Sequence, residues 1–267
     1  MYNYKTRYKL NKDYMSEFKF PTEEIDLPSK GLVYSKENPL SSGKVEVKYM
    51  TAKEEDILSN QSYIQKGTVL DKLLASVIVD SKINVDDLIV GDKNALLVAT
   101  RILGYGKKYE FRLMGKTHSA DLTEVENKPF DEKSLEAGKN EFTYKVERSG
   151  DVLTYKILNG KDERQIQKEI DGLKKLNKEG SFNLTTRLKY MILSVNGDSE
   201  RKAVRSYIDN QFLAIDSRAF REHVADTQPD IDLNVTSDEG EEVKIPIGIG
   251  FFWPDIWERP GGKNEPL

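Results

Sequence analysis

The chain has no cysteine among its 267 residues. Disulfides, thiolate nucleophiles and cysteine-ligated zinc are therefore excluded. Histidine is nearly as scarce, with only His118 and His223. His118 falls in the exposed register of a hairpin and His223 in the charged last turn of a helix. Neither is expected to serve as a metal ligand or catalytic base. Long apolar runs are missing too. The longest, from Leu73 to Val79, is interrupted by a serine and is far short of the roughly 20 residues that span a bilayer. The segment Met1 to Arg7 lacks the apolar stretch of a signal peptide, so the sequons at Asn60, Asn183 and Asn234 have no secretory context. Charge of one sign does not dominate: 41 Lys and Arg face 45 Asp and Glu, a net charge of −4. General attraction to nucleic acid or to an anionic membrane is not expected.

Phosphate-binding loops are absent as well. Gly104-Tyr105-Gly106 follows a helix pattern instead of opening one, and Gly248-Ile249-Gly250 meets Trp253 where a third glycine is needed. No Gly-x-Ser-x-Gly elbow occurs. Asp230 and Asp232 share a strand face, but Ile231 and Leu233 hold the apolar one, so the two acids are read as pointing to solvent. A metal hydrolase built on them is the weakest functional reading. No catalytic residue, metal ligand or cofactor is expected.

What is present is a dispersed mixture, 32% charged and 37% hydrophobic, which fits a folded protein with a busy surface. Residues 1–20 carry five Lys or Arg against two acids, whereas Asp226 to Glu242 holds seven acids and no cation. These stretches read as solvated faces or as complementary surfaces in an assembly. The arm alternates Tyr2, Tyr4 and Tyr8 with Lys5, Arg7 and Lys9, the one local match to a single-strand nucleic-acid binder. A tethering arm is the preferred reading.

Periodicity predicts the elements. Val45, Val47 and Tyr49 alternate as a half-buried strand. Thr51 with Glu54 forms a capping box, and Thr68 with Asp71 resembles a second helix start. Leu70, Leu73, Leu74, Val77 and Ile78 follow the spacing of a core-facing helix. A third helix runs from Asp92 to Leu103, with Gly104 as its left-handed cap. Tyr109, Phe111 and Leu113, then Phe142, Tyr144 and Val146, then Leu153, Tyr155 and Ile157 alternate as hairpin strands. Helices resume over Lys161 to Asn177, with a narrow stripe read as exposed or partner-facing. Leu184, Leu188, Met191, Ile192 and Val195 predict a core helix closed by Asn196-Gly197, followed by helices over Glu200 to Asp209 and Gln211 to Asp226. Ile231, Leu233 and Val235 face Val243, Ile245, Ile247 and Ile249 across an acidic turn.

The predicted class is α+β. A helical core over about 52–104 and 161–226 carries a β-hairpin insert, and a C-terminal β-hairpin pairs with an early strand. The expected organisation is an arm and lead-in at 1–43, a split core at 44–106 and 161–257, the insert at 107–160, and a flexible tail at 258–267. Two segments stand out as binding candidates. Leu27-Pro28-Ser29-Lys30-Gly31 is a proline-fixed, glycine-relieved bend, either an ordinary lead-in turn or an interface. Phe251-Phe252-Trp253-Pro254 ends in an aromatic cluster suited to anchoring an interface. There Phe251 and Trp253 continue the inward register of Ile245, Ile247 and Ile249. Phe252 points the other way and Trp257 lies beyond Pro254. The C-terminal interface set is Phe252 and Trp257, with Trp253 beside them.

Several motifs together resemble the baseplate hub proteins of T-even-like contractile-tailed phages, in the versions found in cyanophage-type myoviruses. They are Leu27-Pro28-Ser29-Lys30-Gly31-Leu32-Val33-Tyr34, Lys48 to Leu58, Lys66 to Leu74, Val90-Gly91-Asp92-Lys93-Asn94-Ala95, Gly104-Tyr105-Gly106, Thr186 to Ile192, and Phe251-Phe252-Trp253-Pro254. The likeness covers roughly residues 20–256. It implies a non-enzymatic protein of the virion tail baseplate, assembled in the host cytoplasm. It acts either as a hub subunit or as a hub assembly factor that leaves. Its implied partners are other baseplate proteins, including the spike-hub and the end of the tape measure, in a hetero-oligomeric assembly. No nucleic acid partner and no membrane insertion is expected. Many relatives carry a Cys-x2-Cys zinc ribbon after the Gly-Tyr-Gly strand. Here Leu113 to His118 is a plain turn, so metal binding is not carried over.

Overall fold

Alternating valines build the first layer. The computed structural model describes residues 21–113, 116–130, 132, 136–177, 180–237 and 240–252. The basic arm, the acidic turn tip, Trp253, Trp257 and the tail lie outside them. β1 (Thr22–Asp26) pairs antiparallel with β2 (Lys44–Lys48), Glu24 opposite Glu46. In β2, Val45 and Val47 point inward while Lys44 and Glu46 face out, the period-2 pattern read from the sequence.

The chain then turns helical through α1 (Ala52–Leu58), α2 (Gln61–Gln65), α3 (Val69–Val77) and α4 (Val90–Tyr105). α1 begins at the Thr51 capping box: Thr51 Oγ1 donates to Glu54 at 2.6 Å and Thr51 N at 2.8 Å. α3 buries Val69, Leu73, Leu74 and Val77. Thr68, however, makes no side-chain cap; Asp71 pairs instead with Lys93 of α4. α4 is two residues longer at its C-terminal end than its apolar pattern suggests. Gly104 is helical and packs against Met50, whose Sδ would lie 2.7 Å from an added Cβ, and Gly106 is the residue at φ +82°. Close helix packing, not chain reversal, explains Gly104.

β3 (Lys108–Leu113) pairs with β4 (Lys116–Asp121), and β5 (Phe142–Lys145) with β6 (Val152–Tyr155), as the alternation predicts. A third strand joins the second sheet. α6 (Asn183–Met191) stops four residues before the predicted end, and β7 (Ile192–Val195) pairs with β6, Leu153 opposite Val195. Ile192, Leu193 and Val195 satisfy the exposed edge of β6 instead of extending a helix. β-branched side chains favour that choice once a pairing edge is available. Asn196-Gly197 is thus a hairpin tip, not a helix cap.

α5 (Gly160–Leu176) lies under α6. Its Ile166 and Ile170 form a small satellite core with Leu158, covered by Tyr190 and Met191. The stripe read as partner-facing is therefore mostly filled from within the chain. α7 (Arg201–Asn210) and α8 (Ala214–Thr227) complete the helical block.

β8 (Asn234–Thr236) and β9 (Glu242–Lys244) form the expected C-terminal hairpin, Val235 opposite Val243. It does not pair with an early strand: β1 and β2 are taken up by each other, and the hairpin packs beside β4. The chain also leaves the strand register early. Ile249–Phe252 is a short helix, α9, against α4. One hydrophobic core joins Leu27, Leu58, Leu73 and Leu96 to Tyr109, Leu122, Leu153, Phe220, Val235 and Phe252. The insert strands thus pack into the same core as the helices that flank them.

Candidate functional site

The Leu27–Gly31 bend is built by its hydrogen bonds. Leu27 N donates to Gly43 O at 2.8 Å, and Lys30 N donates to Leu27 O at 2.8 Å. Lys30 and Gly31 both take positive φ, 52° and 76°. A Cβ on Gly31 would sit 2.6 Å from Gly43 N and from Ser41 O, and a Cβ on Gly43 would sit 2.7 Å from Lys30 O. Two loops lie backbone to backbone there, and only glycine fits at either contact.

The bend also carries a buried polar centre. Asp92, in the first turn of α4, accepts from Ser29 N (2.9 Å), Ser29 Oγ (2.6 Å) and Tyr34 Oη (2.6 Å). Ile89 N in turn donates to Tyr34 Oη at 3.1 Å. Burial pushes the Asp92 carboxyl above its ordinary range, against the opposing pull of the Ser29 and Tyr34 hydrogen bonds. Burial, and then the charge of Asp92, push the Tyr34 hydroxyl up as well. The helix N-terminus favours the carboxylate. Gly91 lets the segment at Pro229 close over this end, since a Cβ there would lie 2.0 Å from Pro229 O.

Four of the five residues of the bend, Leu27, Pro28, Ser29 and Gly31, are thus buried within their own chain. Lys30 alone faces solvent, paired with Glu132. The bend is a clamp joining the lead-in to α4, and Lys30 is its one exposed side chain.

The C-terminal run also turns inward. The Phe251 ring stands 5.0 Å from Tyr109, and Phe252 stands edge-on to Phe251 at 5.4 Å. Arg101 donates from Nε to Phe251 O at 3.0 Å and from Nη1 to Gly106 O at 3.1 Å. Its guanidinium lies 5.1 Å from the Tyr105 ring centre. Phe252 is 0% exposed, which corrects its expected outward aim. In a helix, successive side chains are about 100° apart, so Phe251 and Phe252 share a buried arc that a strand would have split. Of the three C-terminal candidates, Trp253 and Trp257 lie outside the described residues.

Several other ionisable groups are bound within the fold. Glu54 accepts from Ser76 Oγ at 2.6 Å and Lys48 Nζ at 3.0 Å besides the Thr51 cap. Burial opposes its charge, but the bonds from Ser76, Thr51 and Lys48 win and hold its pKa down at about 2. His118, expected outside, is 2% exposed and stacks on Phe111, and its Nδ1 has no partner among the described residues. The register sets it opposite Phe111, on the face that carries Tyr109 and packs toward Phe251, which alternation within one strand does not reveal. His223 lies 3.2 Å from Tyr155 Oη, and burial lowers its pKa. Asp230 accepts from Asn94 Nδ2 at 3.3 Å and from Ile231 N at 2.8 Å. Asp232 accepts from Asn234 N and Nδ2. A cleft of about 470 Å³ between α3 and α5 is lined by Asp71, Lys72, Asp86 and Arg164. Two of its acids are held by cations, Asp71 by Lys93 and Asp86 by Arg164, and Asp80 accepts from Lys82 N at 2.9 Å. Among the described residues, no group of three or more acids and histidines is placed to hold a metal ion, and no helix is long and apolar enough to cross a membrane.

What the surface does offer is apolar. Leu213 is 52% and Ile215 57% exposed, at the start of α8. Phe212 packs inward against Tyr207 and Phe220, at 5.6 and 6.1 Å between ring centres. Asp216, Ser217, Phe220 and Val224 form the buried face of α8, which leaves Leu213, Ala214 and Ile215 outside as a corner. Leu176 at the end of α5 and Leu184 at the start of α6 are also exposed. The run Phe212-Leu213-Ala214-Ile215 is visible in the sequence as four apolar residues at the start of a helix. It gave no sign of which side would face out.

Comparison with protein-family models, curated proteins and solved structures gives no match for this chain.

Proposed function

We propose that the protein is a structural or adaptor subunit of the central baseplate hub of a contractile-tailed bacteriophage, acting through protein–protein interfaces. The observation that carries a binding role is the exposed Leu213–Ile215 corner on a surface otherwise dense in ion pairs. Isolated exposed apolar residues are ordinary, but adjacent ones at a helix start, beside a half-buried phenylalanine, suit a partner contact. The baseplate assignment itself rests on the motif resemblance. Those motifs supply residues with clear folding duties: Ser29, Gly31, Tyr34, Glu54, Gly91 and Asp92 build the buried contacts described above. Such positions carry the fold, and the partner set is tested directly.

The test is quantitative mass spectrometry of purified particles of the encoding phage against infected-cell lysate. Stoichiometric presence in particles supports a hub subunit. Presence in lysate alone sinks that reading and leaves a hub assembly factor in its place. Absence from both removes the phage assignment. The corner is tested separately, by Leu213→Asp with Ile215→Asp in particle assembly. Unimpaired incorporation of the doubly substituted protein would exclude the corner as the contact.

A further inference from the structure

The chain contains Asn-Gly twice, at Asn159-Gly160 and Asn196-Gly197. The dipeptide is chemically labile because glycine, lacking a side chain, leaves its backbone nitrogen unhindered. That nitrogen attacks the asparagine Cγ, the Cγ–Nδ2 bond breaks, and ammonia leaves with the nitrogen's proton. Water then opens the resulting succinimide to aspartate or isoaspartate. One water is consumed and no oxidant is required.

The fold treats the two copies differently. At Asn159-Gly160 the attacking group is engaged: Gly160 N donates to Leu88 O at 3.2 Å. The asparagine caps α5, accepting from Asp162 N at 3.1 Å. Backbone is close by, with Asp86 Cα 3.0 Å from where a Gly160 Cβ would be. Asn196-Gly197 is instead the exposed two-residue tip of a hairpin. Val195 and Asp198 exchange both backbone hydrogen bonds across it, at 2.9 and 3.0 Å, and Asn196 and Gly197 take positive φ of 52° and 84°, as such tips require. Nothing lies within 4 Å of a Cβ placed on Gly197, and its N–H has no hydrogen-bond partner among the described residues. The restraint there acts on Asn196, whose own N donates to Val152 O at 2.7 Å, and not on the Gly197 amide. Oδ1 accepts from Val152 N at 2.8 Å, and Nδ2 donates to Asp151 Oδ1 at 2.8 Å.

We propose that Asn196 is a site of spontaneous deamidation, held in check in the native fold by the Asp151–Val152 clasp, and that its conversion releases the hairpin tip from β6. The product works against the clasp. Asp151 also accepts from Ser149 Oγ (2.5 Å) and Tyr207 Oη (3.0 Å), which suits an ionised carboxylate. Replacing Nδ2 by a carboxylate oxygen sets two like charges at hydrogen-bond distance. Isoaspartate would also lengthen the backbone of a two-residue turn whose length fixes the register.

The experiment incubates the full chain in mildly alkaline buffer, native and in urea. The Asn159 and Asn196 peptides are followed by mass spectrometry for amide-to-acid conversion. In urea both sites should convert at similar rates. In the native protein Asn159 should stay intact, while Asn196 converts at least about tenfold more slowly than in urea, a factor equivalent to an opening cost of about 1.4 kcal/mol. Asp151→Ala should speed conversion of native Asn196 and leave Asn159 unchanged. Asn196→Asp should be less stable to urea than Asn196→Gly at neutral pH, with the gap closing in acid. Equal native rates at the two sites, no conversion at Asn196, or an Asp151→Ala rate equal to wild type would each overturn the proposal. The wild-type comparison of the two sites decides it even if the Asp151 variant unfolds.

Discussion

The runs Phe251-Phe252 and Phe212-Leu213-Ala214-Ile215 are alike in composition and opposite in fate. The first, beside the C-terminal tail, carries every sign of an interface anchor, and both its rings are buried between α4 and β3. The second lies mid-chain and draws no notice, yet it presents Leu213 and Ile215 to solvent. The difference follows from what surrounds each run. Arg101 and Gly106 at the end of α4 offer the C-terminal run a ring-lined slot and a donor for the Phe251 carbonyl. At α8 the inner positions are taken by Phe220 and Val224, so the residues that start the helix are left outside. Aromatic density therefore marks where burial will occur, and whether the burial is internal or against a partner is set by neighbours far away in sequence.

The comparison can be broken most sharply at Phe252. Phe252→Ala should destabilise the isolated protein by about 3–5 kcal/mol, the usual cost of removing a fully buried ring, as read from the urea midpoint. A change near zero would return Phe252 to the surface. Asp92→Ala comes next. It strands two side-chain or backbone donors of Ser29 and the Tyr34 hydroxyl in a dry site, at a cost of about 3 kcal/mol. The same urea series with Ser29→Ala tests whether the two losses are coupled, as one network requires. Gly31→Ala forces a Cβ into positive φ against the backbone of Gly43, with an expected loss of about 1–3 kcal/mol. Glu54→Gln should cost about 1–2 kcal/mol at neutral pH. It should also flatten the acid limb of the stability curve. Because the folded pKa of Glu54 is depressed to about 2 from 4.5, its contribution is full above pH 4.5 and fades as the pH falls toward 2. A variant that keeps the wild-type acid limb contradicts that assignment. Smallest of all, Leu213→Ser with Ile215→Ser should leave monomer stability within about 0.5 kcal/mol. A large loss of stability there would show that the corner is part of the core.

The helices with strong periodicity were legible from the sequence. The Thr51–Glu54 box, the Leu73-Leu74-Val77 stripe and the β3–β4 and β5–β6 hairpins stand where the pattern puts them. Three other features were not legible. The segment from Ile192 to Val195 suits a helix stripe and a strand equally, and the open edge of β6 decided for the strand. His118 was read as exposed, and pairing with β3 sets it beside Phe111 on the buried face of the hairpin. The Leu27–Gly31 bend shows its glycine and proline in the sequence, but its anchor, Asp92, is distant in sequence and no local pattern names it.

Local chemistry was enough to set the class, the main helices, the β3–β4 and β5–β6 hairpins and the need for glycine at a bend. These depend on sterics and hydrogen bonds within a few residues, which travel with the sequence. Which aromatic run is inside, which histidine is dry, which strand takes the third place in the sheet and which Asn-Gly pair has a free amide are different matters. Each depends on a surface brought in from elsewhere in the chain. Burial and pairing are properties of two partners, and one segment of sequence describes only one of them.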